Sequence, residues 1–407
     1  MLGLLALMVG LLCSCAFAEV TIRLASWGTS DFLVDAAREA VAPYGIKIEF
    51  EKISSSSYLD KVVSSTLGGV GPDVIADLPY RFSLLTAGII TDLTPYLEKD
   101  PEVNFKSFYP AIWGMYTYAG GTWILPSVIS PYLIFYNKQH LNSAGLAAPN
   151  ENWRWTVELP EAANKLKVVQ SDGKVTRYGL LLENRLYTPI FSAGGDILNA
   201  ENNRAVIDSP AVANILKVFQ EWRLKDLIPP LGDHRRNFAA EFGSIQAVLG
   251  TFGFNSYTNT SYANPAVEWG IAPAPLGEAG RSLDENTWGY SISAFTKHPD
   301  EAWIVAKALA SLKGSLLLRD GQLSPMIGKM DNSAVTAAME MYRLSREEVL
   351  MAFQQVNYVR PSFRHIKGDE IKDIVNKAFS RIVNGGESVG TVLPAAQESI
   401  NALLNED

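Results

Sequence analysis

Cysteine is almost absent from this chain of 407 residues, because both of its cysteines, Cys13 and Cys15, lie close to the amino terminus. Cleavage at or just after this segment leaves no pair that can form an internal disulfide, so stability must come from the core. Histidine is also scarce, and none of the four has a second ligand-type residue at metal spacing. We therefore expect neither a structural disulfide nor a metal site.

Motifs that carry catalytic or nucleotide chemistry are missing as well. The chain has no G-x-S-x-G elbow, no H-E-x-x-H helix and no G-x-x-x-x-G-K-[ST] phosphate loop. This lowers the expectation of an enzyme and predicts no cofactor. Paired carboxylates of glycoside hydrolases come from distant positions, so a secreted carbohydrate-active hydrolase or lyase stays open as the alternative.

An excess of basic residues is lacking too. There are 35 Lys and Arg against 43 Asp and Glu, for a net charge of -8, and nucleic-acid binding needs a basic face. Hydrophobic residues make up 47% of the chain, enough for a large core, and the length favours two domains.

The first eighteen residues predict export. Met1 to Ala18 carry no charge, and the apolar run from Leu2 to Leu12 is short for a bilayer span. Ala16-Phe17-Ala18 has the small-x-small pattern of a signal-peptidase site. Leu12-Cys13-Ser14-Cys15 resembles a lipobox, in which Cys15 would be lipidated. We expect a periplasmic protein or one lipid-anchored outside the cytoplasmic membrane.

Alternation and helical spacing predict strand–helix–strand–helix–strand order at the start of the mature chain. Val20 to Leu24 and Ile46 to Phe50 alternate apolar and polar residues, and a helical apolar pattern lies between them. A helix from Ser57 to Leu67 and a strand from Asp73 to Ala76 follow. This order makes a parallel sheet, and ligands bind beyond the carboxyl ends of such strands, where Trp27 and Asp77 stand.

Further strands and helices are predicted later in the chain. Strands are expected at 133–136 and 288–295, and the remainder after about residue 334 is predominantly helical. Other helices are expected at 157–167, 184–193, 210–225, 238–249 and from 299.

Aromatic residues are abundant, with nine Trp and sixteen Tyr. Several stand beside glycine rather than inside periodic elements, as in Trp27-Gly28, Phe252-Gly253 and Trp288-Gly289. A flat aromatic face suits the apolar face of a sugar ring, and nearby Asp, Asn and Arg suit its hydroxyls. For any single ring a place in the core is the commoner outcome, whereas the position of the group beside strand ends favours a binding site.

Seven short motifs in order cover some 250 residues, and together they resemble the solute-binding proteins of ABC importers, a family that includes the maltodextrin-binding proteins. The motifs are Gly68–Val74, Gly88–Leu97, Leu133–Lys138 with the following Leu141, Gly145, Pro149, Trp155 and Thr156, Gly194–Asp196 with Ile207–Pro210, Phe242–Gly253, Trp269–Gly277 and Lys297–Trp303.

The resemblance implies an α/β, two-lobed periplasmic-binding-protein fold, in which two sheets flanked by helices are joined by a hinge. The first lobe would hold residues 19–128 and 277–324, and the second 131–271 and 327–407. Hinge crossings are expected near 129–133, 271–276 and 324–326.

The resemblance also implies the substrate-binding component of an ABC importer. A monomer would capture a small solute and deliver it to a membrane permease. A mono- or oligosaccharide is the expected solute, and a polyol, phosphate ester or peptide is the alternative. Asp31 could instead cap the first helix. The ligand-binding positions that the resemblance implies are Trp27, Asp31, Asp77, Tyr80, Tyr132, Tyr187, Phe252, Gly253, Trp288 and Arg360.

Overall fold

Two β-sheets with helices packed around them organise the protein. The computed structural model describes residues 19–78, 82–182, 186–231, 249–254 and 267–406. Within these residues no helix is both long enough and apolar enough to cross a membrane.

Thirteen strands lie in the described residues. They are β1 Val20–Ser26, β2 Ile46–Lys52, β3 Val74–Asp77, β4 Thr117–Tyr118, β5 Gly121–Thr122, β6 Leu125–Ile129, β7 Tyr132–Asn137, β8 Val168–Val169, β9 Val175–Arg177, β10 Leu180–Leu182, β11 Leu249–Gly253, β12 Trp269–Pro273 and β13 Thr287–Ile292.

The α-helices in the same part of the chain number fifteen, and short 3-10 turns supplement them. They are α1 Asp31–Val41, α2 Tyr58–Leu67, α3 Ser83–Thr86, α4 Thr94–Lys99, α5 Pro110–Tyr116, α6 Lys138–Ser143, α7 Glu158–Leu166, α8 Tyr187–Ser192, α9 Pro210–Leu224, α10 Pro299–Ala310, α11 Gly314–Leu317, α12 Asn332–Tyr342, α13 Arg346–Gln354, α14 Gly368–Val383 and α15 Val389–Leu404.

The first sheet has the strand order β2-β1-β3-β13-β6. Strand β1 is parallel to both β2 and β3, as the alternating segments predict, whereas β13 is antiparallel to β3 and to β6. Helices α1 and α10 pack against this sheet, and its core includes Ile22, Leu24, Val74 and Ile292. All four residues of β3 are buried, as expected for a strand covered on both faces.

The second sheet has the order β10-β11-β7-β12. Strand β7 is antiparallel to both β11 and β12, and β10 is parallel to β11. Helices α7, α9, α14 and α15 contribute to the large core on this side. A third cluster joins residues near both sheets, including Ile129, Leu133, Leu283 and Leu323.

Most predicted helices are confirmed with small shifts at their ends. Ser57 stands at the N-cap position of α2, and the side chain of Ser209 accepts from Val212 N at the start of α9. Residues 184 and 185 of the predicted helix 184–193 lie outside the described residues, and α8 ends at Ser192, before Gly194, whose φ of 85° is left-handed. The predicted strand 288–295 ends at Ile292, where pairing with β3 ends.

Part of the predicted helix 238–249 lies outside the described residues. At its last position the prediction is wrong, because Leu249 begins β11 and pairs with Tyr136 of β7. An apolar run cannot by itself distinguish a buried strand from a buried helix, and pairing with β7 decides the outcome here.

The chain passes between the sheets through short connections. Only Ser130 and Pro131 separate β6 from β7, and Ser130 N donates to Asn286 O at 2.8 Å. Leu276 exchanges backbone hydrogen bonds with the 153–155 segment, and Asp284 N donates to Thr188 Oγ1 at 2.9 Å. Residues 276–284 therefore bond to the second-sheet side, which favours a crossing after Asp284 rather than at 271–276.

Candidate functional site

One edge of the first sheet gathers three of the residues singled out from the sequence. Trp27 follows β1 directly, Asp77 ends β3, and Trp288 is the second residue of β13. Because β13 runs antiparallel to β3, with Gly289 opposite Asp77, the start of β13 lies beside the end of β3. These side chains share the carboxyl edge at which open α/β sheets bind ligands.

Trp27 is held in an aromatic cluster and keeps part of its surface exposed. Its ring meets Tyr58 edge-on with centroids 4.7 Å apart and lies 5.9 Å from the ring of Trp288. The Tyr58 hydroxyl lies 3.0 Å from Ala25 O and 2.7 Å from Ala76 O, and donates to these carbonyls of β1 and β3. Tyr58 therefore fixes the orientation of Trp27.

The turn that carries Trp27 is braced by hydroxyl groups. Ser26 Oγ accepts from Gly28 N at 3.1 Å and from Thr29 N at 3.0 Å. Thr29 Oγ1 lies 2.9 Å from Tyr290 Oη, and burial raises the pKa of Tyr290 well above its usual value. A rigid turn reduces the entropy lost when a ligand binds against it.

The two acidic residues predicted at this edge have different surroundings. Asp77 is fully buried, and its Oδ1 accepts from Leu78 N at 2.8 Å. Asp31 is exposed at the first position of α1, where its negative charge interacts favourably with the helix dipole. Ser30 holds the N-cap position, but its hydroxyl donates to Asp320 Oδ1 at 2.8 Å instead of capping.

A matching edge of the second sheet brings together further predicted positions. Gly253 ends β11 and pairs with Tyr132, the first residue of β7, and Tyr187 follows the end of β10 as the first residue of α8. Tyr132 and Tyr187 are both buried. Phe252 lies in β11 opposite Leu133, with its side chain outside the description, and Tyr80 lies outside the described residues.

Arg360 belongs to an aromatic and acidic cluster beside this second edge. Its guanidinium carbon lies 4.1 Å from the centre of the Phe191 ring, and its Nη2 donates to Asp196 Oδ2. Phe191 in turn stacks on Tyr187 with centroids 6.0 Å apart. The side chain of Arg360 is 37% exposed, so it is oriented yet accessible to a ligand.

Phe191 and Asp196 contact Arg360 and are not among the candidate positions predicted from the sequence. Phe191 reads as an ordinary apolar residue of a helix, and nothing local points it towards Arg360, which is distant in the sequence. Asp196 belongs to the Gly194-Gly195-Asp196 motif, which was the available signal.

The two edges face each other across a very short connection. Ile129 at the end of β6 pairs with Thr287 at the start of β13, so β6 ends at the first edge. Three residues later, Tyr132 begins β7 at the second edge. Phe254 N also donates to Pro131 O at 3.0 Å, which ties β11 to this connection. We call the space between the two edges, beside this connection, the cleft.

A buried ion pair lies beside the crossing. Arg364 donates from Nη1 to Glu285 Oε1 at 3.0 Å and from Nη2 to Oε2, and Ser362 Oγ donates to the same Oε1 at 2.8 Å. Burial by itself would raise the pKa of Glu285, but Arg364 and Ser362 outweigh burial and lower it. Glu285 is thus held as a charged structural group.

The chemistry of the cleft suits recognition of a polar molecule with apolar faces. Trp27 and Trp288 offer ring surfaces, and Arg360 offers donors. Among the residues that the structure describes, no group of three or more His, Cys, Asp or Glu could hold a metal ion.

Known sequences similar to this chain include one family model and several relatives. Residues 33–314 match the family model described as bacterial extracellular solute-binding protein. A protein of Brucella abortus strain 2308, described as a binding protein, is 24% identical over 395 residues, which cover 92% of this chain and 89% of the relative. A lipoprotein of Streptomyces antibioticus is 24% identical over 330 residues, covering 73% of this chain and 69% of the relative.

Solved structures share the fold along nearly the whole chain. The ABC substrate-binding protein Lmo0181 of Listeria monocytogenes, in complex with cycloalternan, matches with a TM-score of 0.80 at 17% identity, covering 96% of this chain and all of the other. An ABC transporter solute-binding protein of Thermotoga lettingae bound to α-D-tagatose matches with a TM-score of 0.77 at 19% identity, covering 95% and 100%. These matches confirm the predicted two-lobed periplasmic-binding-protein fold.

Proposed function

Because the chain belongs to the family of bacterial extracellular solute-binding proteins, we propose that it captures a sugar between its two lobes and delivers it to the membrane permease of an ABC importer. The observation that carries this proposal is the pair of facing strand edges, one bearing Trp27 and Trp288 and the other Tyr187 and Arg360.

The family match also decides between the two classes of protein that the sequence left open. The family is one of solute-binding proteins, so the prediction that the chain is not an enzyme is confirmed, and the hydrolase or lyase alternative has no support.

A carbohydrate is the ligand class that the site chemistry favours. The apolar face of a sugar ring stacks on Trp or Tyr, and its hydroxyls pair with groups such as the Arg360 guanidinium. The Listeria and Thermotoga proteins with this fold carry cycloalternan and α-D-tagatose. Trp27, Trp288, Tyr187 and Arg360 are the contacts we place first, and Asp77 would act from the floor of the cleft.

Closure of the lobes is the mechanism we propose for capture. A ligand that contacts Trp27 on one edge and Arg360 on the other gains some contacts only when the lobes close, so binding shifts the population towards the closed form. We place the hinge at 129–133, at 285–286 and near 324–326. The double hydrogen bond between Ile129 and Leu323 ties the first and third of these together.

The protein is proposed to act outside the cytoplasmic membrane as a monomer. Residues 1–18 would direct export, followed either by lipidation of Cys15 or by cleavage after Ala18. The Streptomyces relative described as a lipoprotein supports the first route. Mass spectrometry of the mature amino terminus distinguishes the two, because only lipidation adds acyl chains.

A thermal-shift screen of the mature protein against sugars and polyols tests the ligand class. A ligand at a hundred times its dissociation constant should add about 2.7 kcal/mol to the free energy of unfolding, which gives a clear rise in melting temperature. A hit recovered chemically unchanged supports the proposal, and a sugar that is consumed would contradict it. If only phosphate esters or peptides shift the melting temperature, the carbohydrate assignment is wrong.

Small-angle scattering with a hit from the screen tests closure separately. Saturation should reduce the radius of gyration if the lobes approach each other. An unchanged scattering curve at saturation would refute closure while leaving binding intact.

A further inference from the structure

Residues 360–369 run from the cleft to the start of α14, and we call them the bridging segment. The segment begins with Arg360 and ends with Asp369, in the first turn of α14. Pro361 and Arg364 lie between them. All four residues have contacts outside the segment, and two of these contacts reach helices that belong to the first sheet.

Backbone and side-chain hydrogen bonds fix the bridging segment to the second-sheet side of the protein. Near its start, Arg360 N donates to Leu283 O at 3.0 Å. Near its end, Lys367 Nζ donates to a carbonyl of α15 at 2.9 Å. Because these bonds are spread along the segment, Arg360 and Asp369 should move together with the second lobe.

Asp369 joins the far end of the bridging segment to the first lobe. The hydroxyl of Ser83, the first residue of α3, donates to Asp369 Oδ2 at 3.4 Å. Leu84, the next residue of α3, is buried in the core of the first sheet, whereas Ile371 of α14 is buried in the core of the second. The hydrogen bond between Ser83 and Asp369 therefore connects the lobes without passing through the crossings.

Pro361 makes a second contact between the lobes. A β-carbon at Gly114 of α5 would lie 3.6 Å from Pro361 Cγ, which is an ordinary van der Waals distance. Helix α5 packs against β6 of the first sheet. The bridging segment thus meets the first lobe at two places, and Arg364, which pairs with Glu285 of the crossing, lies between them in the segment.

We propose that Ser83 and Asp369 are positioning residues for ligand capture, because their contact holds the lobes together beside the cleft and so presents Arg360 to a ligand on Trp27. The proposal rests on the lobe closure of the proposed function. A contact made only when the lobes approach raises the ratio of closed to open molecules even without a ligand. The apparent dissociation constant falls as the fraction of the binding-competent form rises.

Opposite charges at position 83 test the contact in both directions. Ser83→Lys places a cation beside the Asp369 carboxylate and should raise the ratio of closed to open molecules about threefold, which is within the range of exposed ion pairs. Ser83→Asp places two carboxylates together and should lower the ratio about threefold. A general loss of stability would shift both variants in the same direction, so opposite shifts identify the contact.

A rescue variant and a matched control accompany these substitutions. Ser83→Asp combined with Asp369→Lys exchanges the two charges and should return the ratio at least to the parent value. Ser388→Lys and Ser388→Asp are the controls, because Ser388 is an exposed serine directly before α15, which packs on α9 and α14 of the second lobe. Neither charge at position 388 should change closure.

Spin labels measure closure in the ligand-free protein. Ser56→Cys lies after β2 at the cleft edge of the first sheet, and Ala200→Cys lies in an exposed turn on the second-sheet side. The chain from Glu19 onwards has no cysteine of its own. Double electron–electron resonance between the labels gives the fractions of short and long distances. Calorimetry with the sugar that gives the largest thermal shift in the screen gives the dissociation constant.

Ser83→Lys should raise the closed fraction or lower the dissociation constant, Ser83→Asp should do the reverse, and the rescue variant should cancel the effect of Ser83→Asp. The proposal is wrong if the two charges change neither quantity, if they shift it in the same direction, or if the rescue variant behaves like Ser83→Asp. Equal shifts from the Ser388 variants would also overturn it. A screen without any sugar hit contradicts the proposed function alone, because the label distances are measured without a ligand.

Discussion

Glu285 and Arg364 form an ion pair in which both side chains are buried, with 1% and 8% of their surfaces exposed. Glu285 lies where the chain leaves the second-sheet side, and Arg364 lies four residues after Arg360 of the cleft. The pair therefore fixes the segment that carries Arg360 against the crossing between the sheets.

Replacing one partner of this pair should destabilise the protein strongly. Arg364→Met leaves the Glu285 carboxylate buried without its cation, so we expect a loss of about 3 to 5 kcal/mol in the free energy of unfolding. Denaturant unfolding measures the loss. The double variant Glu285→Gln with Arg364→Met should lose less than the sum of the two single variants, and strict additivity would show that the pair does not act as a unit.

Removing the Trp27 ring should weaken ligand binding more than it weakens the fold. Trp27→Ala deletes a partly exposed ring that contacts Tyr58 and Trp288, and we expect the dissociation constant for the sugar to rise about tenfold. Isothermal titration calorimetry measures the change. Phe295→Ala is the control, because this exposed ring follows the end of β13, at the opposite edge of the first sheet from Trp27, and an equal effect there would place the site elsewhere.

Arg360→Lys should reduce affinity although the positive charge is kept. Lysine cannot reproduce the planar guanidinium that stacks on Phe191 while donating to Asp196, so the dissociation constant should rise about tenfold. Arg281→Lys is the matched control, because Arg281 lies 5.4 Å from the centre of the Tyr358 ring and donates to Ala274 O. If both variants bind the ligand like the parent protein, Arg360 is not a contact.

Acid stability should depend on Asp100. Burial by itself would raise the pKa of Asp100, but hydrogen bonds from Val103 N, Trp303 Nε1, Glu102 N and Lys307 Nζ lower it from 3.8 to about 2. A lowered pKa in the folded state stabilises the protein above the unfolded value of about 4, and that contribution is lost as the pH falls towards 2. We expect a contribution of about 1 to 2 kcal/mol.

Unfolding curves at a series of pH values measure this contribution. Asp100→Asn should be less stable than the parent protein near neutral pH, and the difference should shrink between about pH 4 and pH 2. Asp60→Asn, on the exposed side of α2, is the control. A difference for Asp100→Asn that stays constant across this range would contradict the assignment.

Local patterns in the sequence were sufficient to predict much of the first sheet and one wall of the cleft. Alternation in Val20–Leu24 and Ile46–Phe50, with helical spacing between them, fixes parallel pairing through right-handed crossovers. Strand direction then sends Trp27 and Asp77 to the same edge. This inference works because the hydrophobic periods of strand and helix depend only on neighbouring residues.

Contacts between residues that are distant in the sequence could not be predicted from local patterns. The Tyr58 hydroxyl bonds to Ala25 and Ala76, and Arg360 finds Phe191 and Asp196 from more than 160 positions away. The local pattern predicts a helix at Leu249, but this residue pairs with β7 and begins strand β11. No local period encodes such partners.

The sequence by itself determined the order of elements from β1 to β3 and the residue types available at the strand ends. The tertiary structure decided which of these residues meet: Trp27 with Trp288, Arg360 with Asp196, and Glu285 with Arg364. The physical reason is that periodicity is a local property of the chain, whereas side-chain contacts depend on how antiparallel β13 and the crossings bring distant segments to one edge.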